Sequence, residues 1–312
     1  MNWRHAMFTK PIKTIAHKKL KLLNNRTQLN PEQKLTLKQM DSGFEGESRL
    51  YTLLKSPSTL NAIQLFNLHF KINNSECQID CLLIFQNECI LLEVKNYRGN
   101  YYLKEGNWYL LNDQEITNPL LQAKRTELLL GRLFAKENIP FKIQSFVVFT
   151  HTNFFLYEAP RNLSIVFPPQ LEEFIIKLNR LPCYLNKSHD AIADLLKSKH
   201  LVTSSFETTI DYEYDNIKKG LTCLKCGKFL VAKGRDKITC SKCGHVETTK
   251  SALIRSIEEF HLLFPERNIT VTNIYDWTAR FLSKDRIRRI LVSHCLPVGN
   301  NRSTKYILKG KT

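Results

Sequence analysis

Asp80, Glu93 and Lys95 stand inside two otherwise apolar runs, Cys77-Gln78-Ile79-Asp80-Cys81-Leu82-Leu83-Ile84-Phe85 and Cys89-Ile90-Leu91-Leu92-Glu93-Val94-Lys95. A buried ionised group costs several kcal/mol unless it is paired or ligates a metal, so something must compensate these three. Glu93 and Lys95 are two apart and share one face of a strand, with Leu92 and Val94 on the other. If Gln86-Asn87 is the hairpin loop, the antiparallel register sets Asp80 opposite Glu93. With Asn87-Glu88 as the loop, Asp80 faces Lys95 and lies diagonal to Glu93. Both registers put all three charges on one face. Two chemistries suit them: a buried ion pair of Lys95 with one carboxylate, or a carboxylate pocket for a divalent cation with a lysine beside it.

A second constellation is Cys223-Leu224-Lys225-Cys226-Gly227 followed by Cys240-Ser241-Lys242-Cys243-Gly244. Each C-x-x-C-G knuckle brings two thiolates onto one ion, the glycine permits the tight turn, and two knuckles complete a tetrahedral zinc site. His245 is adjacent and is not needed as a ligand. Lys225, Lys228, Lys233, Arg235, Lys237 and Lys242 make this ribbon basic, which suits nucleic acid, although many zinc ribbons bind only protein.

The chain has 312 residues, of which 43% are apolar and 10% aromatic, enough for two or three domains with real cores. Its formal net charge of +17 attracts polyanions, because neutralising phosphates releases condensed counterions; a membrane surface is the competing partner. Nine cysteines is an odd number for a disulfide framework and points to a reducing compartment. No apolar run approaches the ~18 residues of a membrane span, and no apolar stretch after the basic N-terminus reads as a signal peptide. These features predict a soluble, cytoplasmic chain and exclude the membrane-spanning and disulfide-stapled classes.

The elements that must position these residues follow from periodicity and punctuation. Residues 1–40 hold nine Lys or Arg against one acid, Glu32, and read as a basic helix or arm, either solvated or touching phosphate. Residues 41–205 read as one α/β domain. It opens on a helix with Ser42 as N-cap, Glu47 in its first turn and an apolar face of Leu50, Tyr51, Leu53 and Leu54, stopping near Ser56-Pro57-Ser58. Ile63–Phe70 is a strand whose alternation becomes less regular at Leu68. The charged hairpin comes next, then a second hairpin around Glu105-Gly106-Asn107, and a helix that Asn118-Pro119 starts. Strands over 143–150 and 163–167 and helices near 170–179 and 188–199 complete a mixed sheet covered on both sides. Residues 206–220 are expected to be a linker and 221–247 the ribbon. Residues 248–312 form a helical, winged-helix-like domain: a helix through Leu253, Ile254, Ile257, Phe260 and Leu263, one capped by Thr272 and running to Phe281, one capped by Ser283, and a hairpin around 297–308. Lys284, Arg286, Arg288, Arg289 and Arg302 there are candidate nucleic-acid contacts; a protein-docking or purely structural cap is the other reading.

The ordered blocks Gly43-Phe44-Glu45-Gly46-Glu47, Gln78-Ile79-Asp80, Leu92-Glu93-Val94-Lys95-Asn96-Tyr97 with Gly99, and Asn118-Pro119 with Gln122 resemble the NERD (nuclease-related) domain. That domain is a branch of the PD-(D/E)xK restriction-endonuclease-like superfamily, and the resemblance covers about residues 41–200. A zinc ribbon after the domain is an arrangement also seen in that family. The resemblance implies a restriction-endonuclease-like mixed central sheet flanked by helices, and a metal-dependent phosphodiesterase acting on DNA as endonuclease or nickase, with RNA left open. Asp80 and Glu93 would hold Mg²⁺ or Mn²⁺, with Glu47 and the Val94 carbonyl as further oxygen ligands. Lys95 would orient and help deprotonate a water, and Gln122 would position water or phosphate. Two chains would be needed to cut both strands, which makes a homodimer an expectation. Ile79 stands where the superfamily name has proline, and Gln86-Asn87-Glu88 lacks the glycine often found in that turn; neither removes a functional group. The competing function is a DNA-binding adaptor or regulator on a nuclease-like scaffold. Retention of Asp80, Glu93 and Lys95 together favours the enzyme.

Overall fold

Asn30 and Gln33 bond reciprocally, Gln33 N to Asn30 Oδ1 at 2.8 Å and Asn30 N to Gln33 Oε1 at 3.1 Å, and Pro31 follows Asn30 as the first helical residue. In the computed structural model, which describes residues 10–55, 60–72, 75–201, 210–232, 236–299 and 304–309, this cap starts a long helix. It follows α1 (Ile15–Arg26) and runs as α2 from Pro31 to Leu54. The expected start at Asp41 is therefore corrected. Ser42 is no cap; its carbonyl accepts from Asn96 Nδ2 at 3.0 Å, and Glu47 lies within the helix rather than in its first turn. Gly46, inside the helix, serves close packing: a Cβ there would lie 2.8 Å from Asn96 Cβ and 2.9 Å from Thr150 Oγ1. The expected stop at Ser56-Pro57-Ser58 lies outside the described residues.

The chain divides into two units, Met1–Lys13 with Lys38–Glu207 and Thr14–Leu37 with Thr208–Thr312. The first unit is built on a mixed five-stranded sheet of β1 (Ile63–Ile72), β2 (Ser75–Ile84), β3 (Glu88–Lys95), β7 (Lys142–Phe149) and β9 (Ile165–Val166), in the order β1-β2-β3-β7-β9. The first three are antiparallel, and β3, β7 and β9 are parallel. One face packs Leu82, Ile84 and Leu91 against Leu130 and Phe134 of α3 (Pro119–Lys136) and Leu196 of α5 (Lys187–Ser198). The other packs Leu83, Ile90 and Leu92 against Leu50 and Leu54 of α2 and Leu171 and Ile175 of α4 (Leu171–Leu178). A second sheet, ordered β6-β5-β4-β8, joins β4 (Gly99–Lys104), β5 (Asn107–Leu110), β6 (Glu115–Ile116) and β8 (Phe154–Tyr157) around buried Trp108 and the stacked pair Phe149 and Phe154.

In the second unit α1 is not a solvated arm: Ala16, Leu20 and Leu23 are buried, and so is Arg26. Its guanidinium bonds Glu259 Oε2 at 2.7 Å and the Lys218 and Gly220 carbonyls, and lies 4.0 Å from the Trp277 ring centroid. Residues 210–220, read as linker, carry buried Tyr214 and Ile217, and Tyr214 Oη donates to Asp276 Oδ2 at 2.6 Å. The ribbon strands are β10 (Val231–Ala232), β11 (Lys237–Thr239) and β12 (Val246–Thr248). Three helices follow, α6 (Thr249–Leu263), α7 (Val271–Trp277) and α8 (Lys284–His294), then the hairpin β13 (Cys295–Val298) with β14 (Lys305–Leu308). Thr270, not Thr272, caps α7, accepting from Asn273 N at 3.1 Å. That helix ends at Trp277 rather than Phe281, because Ala279 and Arg280 take φ of +51° and +60°.

Candidate active site

The register of the charged hairpin is the first of the two that the sequence allows. Phe85 N donates to Glu88 O at 2.9 Å, so Gln86-Asn87 is the loop, and the ladder runs from Ile84↔Cys89 to Cys81↔Leu92. Continued by one step, it sets Asp80 level with Glu93. The strands part at this step: the Val94 N–H turns toward β2 and is taken by Asp80 Oδ2 at 2.8 Å. A strand residue's N–H and C=O point to the same neighbour, so the Val94 carbonyl faces the same gap.

The alternation of side chains also breaks there. In β1, Leu65 and Leu68 lie in the same core although they are three apart, and in β2, Ile79 and Leu82 do likewise. The residues between them on the facing step are Asn67 and Asp80, and Asn67 has a φ of +51°. Such a conformation inside a strand is uncommon for a non-glycine residue, with Asn among the few that tolerate it. The two strands turn over together, which opens the sheet between α2 and α3.

Into this opening come the side chains singled out from the sequence. Glu93 is 2% exposed. Lys95 Nζ donates to Glu93 Oε1 at 2.8 Å and to Gln122 Oε1 at 3.0 Å, Gln122 projecting from the first turn of α3. Asn118 caps that helix by accepting from Leu120 N at 2.9 Å, which fixes where Gln122 points. Glu47 Oε2 accepts from Asn67 Nδ2 at 2.7 Å. Asn67 was not read as a site residue; its one signal in the sequence is the lapse of alternation between Leu65 and Leu68.

Electrostatics mark the cluster as short of positive charge. Burial, with Glu93 adding to it, pushes the Glu47 carboxyl up to about 7, against the Asn67 hydrogen bond. Burial, then Glu93 and Glu47, hold Asp80 well above the usual carboxylate range, and Lys95 and the Val94 N–H only partly oppose this. Burial works against the Lys95 ammonium, but Glu93 and Asp80 outweigh it and raise its pKa. Glu93 thus acts on both Glu47 and Asp80, while Lys95 is paired with Glu93 and acts on Asp80. A hard divalent cation with oxygen ligands is what this donor set suits. Among the described residues, the carboxylates do not draw together as closely as the cysteine set described next.

The four cysteines do converge: the Sγ atoms of Cys223, Cys226, Cys240 and Cys243 lie within 4.8 Å of one another, with Cys223 to Cys243 at 3.6 Å and Cys226 to Cys240 at 3.5 Å. A tetrahedral zinc with Zn–S near ~2.3 Å sets such separations near ~3.8 Å. Gly227 and Gly244 turn the knuckles at φ of +70° and +69°, each N–H returning to the first cysteine carbonyl at 2.9 Å. Backbone N–H groups of Cys243 and Lys242 hold the Cys240 thiol down to about 6. This set can hold a zinc ion.

The proposed nucleic-acid contacts are not equivalent. Lys284, Arg288 and Arg289 of α8 are exposed. Arg286 is half-buried, and its Nη2 is bound to Asp236 Oδ1 at 2.9 Å. Arg302, like Lys233 and Arg235 of the ribbon, lies outside the described residues.

The fold and the cluster together define a class: a mixed α/β domain with D…ExK side chains at the opening of its sheet. Residues 42–150 match the family model NERD, the nuclease-related domain, so the resemblance read from the four sequence blocks holds for this segment. No curated protein matches the chain. Among solved structures, that of Can2 from Sulfobacillus thermosulfidooxidans in complex with cyclic tetra-adenylate (cA4) is similar at 14% identity and a TM-score of 0.30, covering 54% of this chain. The chain spans about half of that protein, 52%. No helix among the described residues is long and apolar enough to cross a membrane.

Proposed function

We propose that this chain is a divalent-metal-dependent phosphodiesterase, a DNA endonuclease or nickase, with its second unit as the recruiting part. The observation that carries the reading is the surplus of carboxylate at one place: half-buried Asp80 and Glu47 stand beside buried Glu93, and desolvation together with Glu93 raises the pKa of both, although Lys95 already pairs with one of the three. A scaffold has no need of two further carboxylates that hydrogen bonds from Asn67 and Val94 only partly offset. Asp80, Glu93 and Glu47, with the Val94 carbonyl, would hold Mg²⁺ or Mn²⁺, which supplies positive charge against the charge developing at phosphorus. Lys95 sits between Glu93 and the exposed Gln122, so its ammonium can reach a phosphate or an attacking water while Glu93 keeps it charged. Gln122 offers its amide to the same water or to backbone phosphate.

The four cysteines would carry structural zinc, and Lys284, Arg288 and Arg289, with Arg302 as a further candidate, supply sequence-independent phosphate contacts. DNA is the polymer we favour over RNA, with two chains acting together where both strands are cut. None of the nine cysteines is in a disulfide, and a reducing cytoplasm is the compartment we favour. The adaptor reading has one observation on its side, the Glu93 to Lys95 ion pair at 2.8 Å, which is satisfied without a cation. Plasmid cleavage with Mg²⁺ or Mn²⁺ by the wild type, Asp80→Ala and Lys95→Ala separates the two. Cleavage lost in both variants is the expected result; equal activity in all three would sink the catalytic reading.

A further inference from the structure

Asn67 carries two hydrogen bonds that face in opposite directions. Its Nδ2 donates to Glu47 Oε2 at 2.7 Å, and its Oδ1 accepts from Ile12 N at 2.9 Å. The amide has distinct ends, so the Ile12 N–H, which can only donate, obliges the NH₂ end to point at Glu47. Ile12 is itself placed by its neighbours: Pro11 before it is buried, and Lys13 after it lies 3.6 Å from Asp41 and 5.0 Å from the Phe44 ring, both on α2. The backbone contributes the other half. At φ +51° and directly opposite Asp80, Asn67 is the residue at which β1 turns over, so one position both opens the sheet and holds a carboxylate at the opening.

We infer that Asn67 is the positioning residue for Glu47, oriented by the Ile12 amide so that the carboxylate is held ready to ligate the divalent ion. The inference rests on the metal-dependent reading above. Groups that bond to a metal-ligating side chain fix its direction, and their loss typically costs ~10- to 100-fold in metal affinity or activity. Asn67 does this from a strand, where its own rotamer is fixed at both ends of the amide. The segment around Ile12 thereby becomes part of the site although it contributes no ligand.

The test is a double-mutant cycle of Asn67→Gly and Glu47→Gln, read by Mn²⁺ titration of the full chain and by its thermal midpoint without metal. Glycine accepts a φ of +51°, so Asn67→Gly removes the amide and keeps the turn of the strand. Asn67→Gly is expected to weaken Mn²⁺ about 10-fold in the wild-type background and to have no further effect once Glu47→Gln is present. An equal loss in both backgrounds, or wild-type affinity in Asn67→Gly while Glu47→Gln binds weakly, overturns the role of Asn67 and leaves the metal reading standing. Unchanged Mn²⁺ affinity in Glu47→Gln alone removes Glu47 as a ligand and overturns the inference, with the metal reading left on Asp80 and Glu93; no Mn²⁺ binding by the wild type overturns both. A fall in thermal midpoint with Mn²⁺ affinity intact assigns Asn67 a structural role only and overturns the inference.

Discussion

Asp80 Oδ2 accepts the Val94 N–H at 2.8 Å, and this bond stands where the next rung of the β2–β3 ladder would be. A side chain has replaced a strand carbonyl, which places a carboxylate in the gap and leaves the Val94 carbonyl turned toward it. The arrangement is unfavourable for Asp80 as an anion: burial and the neighbouring Glu93 and Glu47 all disfavour its charge.

Asp80→Asn should therefore separate stability from function. Asparagine keeps an oxygen for the Val94 N–H and removes the repelled charge. Without divalent metal at pH 7, the variant should melt several degrees above the wild type, while Mn²⁺ binding and plasmid cleavage are lost. Stabilising changes that abolish activity are characteristic of strained functional sites. A lower midpoint in the variant would identify Asp80 as a structural acceptor.

Glu47 fixes a pH dependence. Its carboxyl is raised from 4.5 to about 7 in the folded chain. Below 4.5 the group is protonated whether the chain is folded or not, and its contribution to stability is at its greatest. Between 4.5 and 7 the unfolded chain gives up the proton first, so stability is lost as pH rises, and the loss is complete above about 7. Asp80 acts with the same sign. Metal binding requires the deprotonated ligand, so Mn²⁺ affinity should increase through the same window in which the metal-free midpoint falls. Thermal melts at stepped pH, with and without Mn²⁺, measure both trends, and Glu47→Gln should reduce each, leaving the part that Asp80 contributes.

The two glycines of α2 should respond in opposite directions. Nothing lies within 4 Å of a Cβ built on Gly43, whereas one on Gly46 would meet Asn96 and Thr150 at 2.8 and 2.9 Å. Gly43→Ala should stabilise by up to ~1 kcal/mol through helix propensity alone. Gly46→Ala gains the same propensity but overpacks the contact that seats α2 on β3, a cost of about 1–3 kcal/mol, so the net change is destabilising. Denaturant unfolding of both variants decides it, and a stabilised Gly46→Ala would refute the close-packing role.

These glycines also explain where the sequence could be read and where it could not. The hairpin register was legible because a short loop and charges confined to one face of two apolar runs leave few pairings, and Gln86-Asn87 is one of the two loops they allow. The four sequence blocks were legible because, in that order, they resemble those of a known family, which the match over residues 42–150 bears out. Ser42 suggested a helix start because a serine before an apolar helical face reads locally as a cap, whereas the helix runs through it and Gly46 beside it answers to Asn96, which is 50 positions away in the chain. Residues 210–220 looked like a linker by their charge, yet Tyr214 among them packs edge-on against Phe264 with ring centroids 5.1 Å apart. Asn67 was hidden for a related reason. Its signal was an irregularity in a pattern, and an irregularity names no partner until Glu47 and Ile12 are placed beside it.

Zinc removal should reach beyond the ribbon. Leu221, Cys223, Leu230, Ile238 and Cys240 form one buried cluster with Ala252 of α6, so thiols of the set that can hold zinc are also part of the core. With the ion removed, four thiols packed this closely lose the charge that holds them together, and the small core they close should loosen with them. Protein purified without chelator should carry one zinc per chain by elemental analysis, and Cys223→Ser should carry far less. Chelator treatment or that substitution should raise hydrogen exchange in β10–β12 and in the first turn of α6. Exchange in β2 and β3, whose core is made of other residues, should stay at its wild-type rate. Zinc-free protein with unchanged exchange in α6 would refute the structural role of the ion.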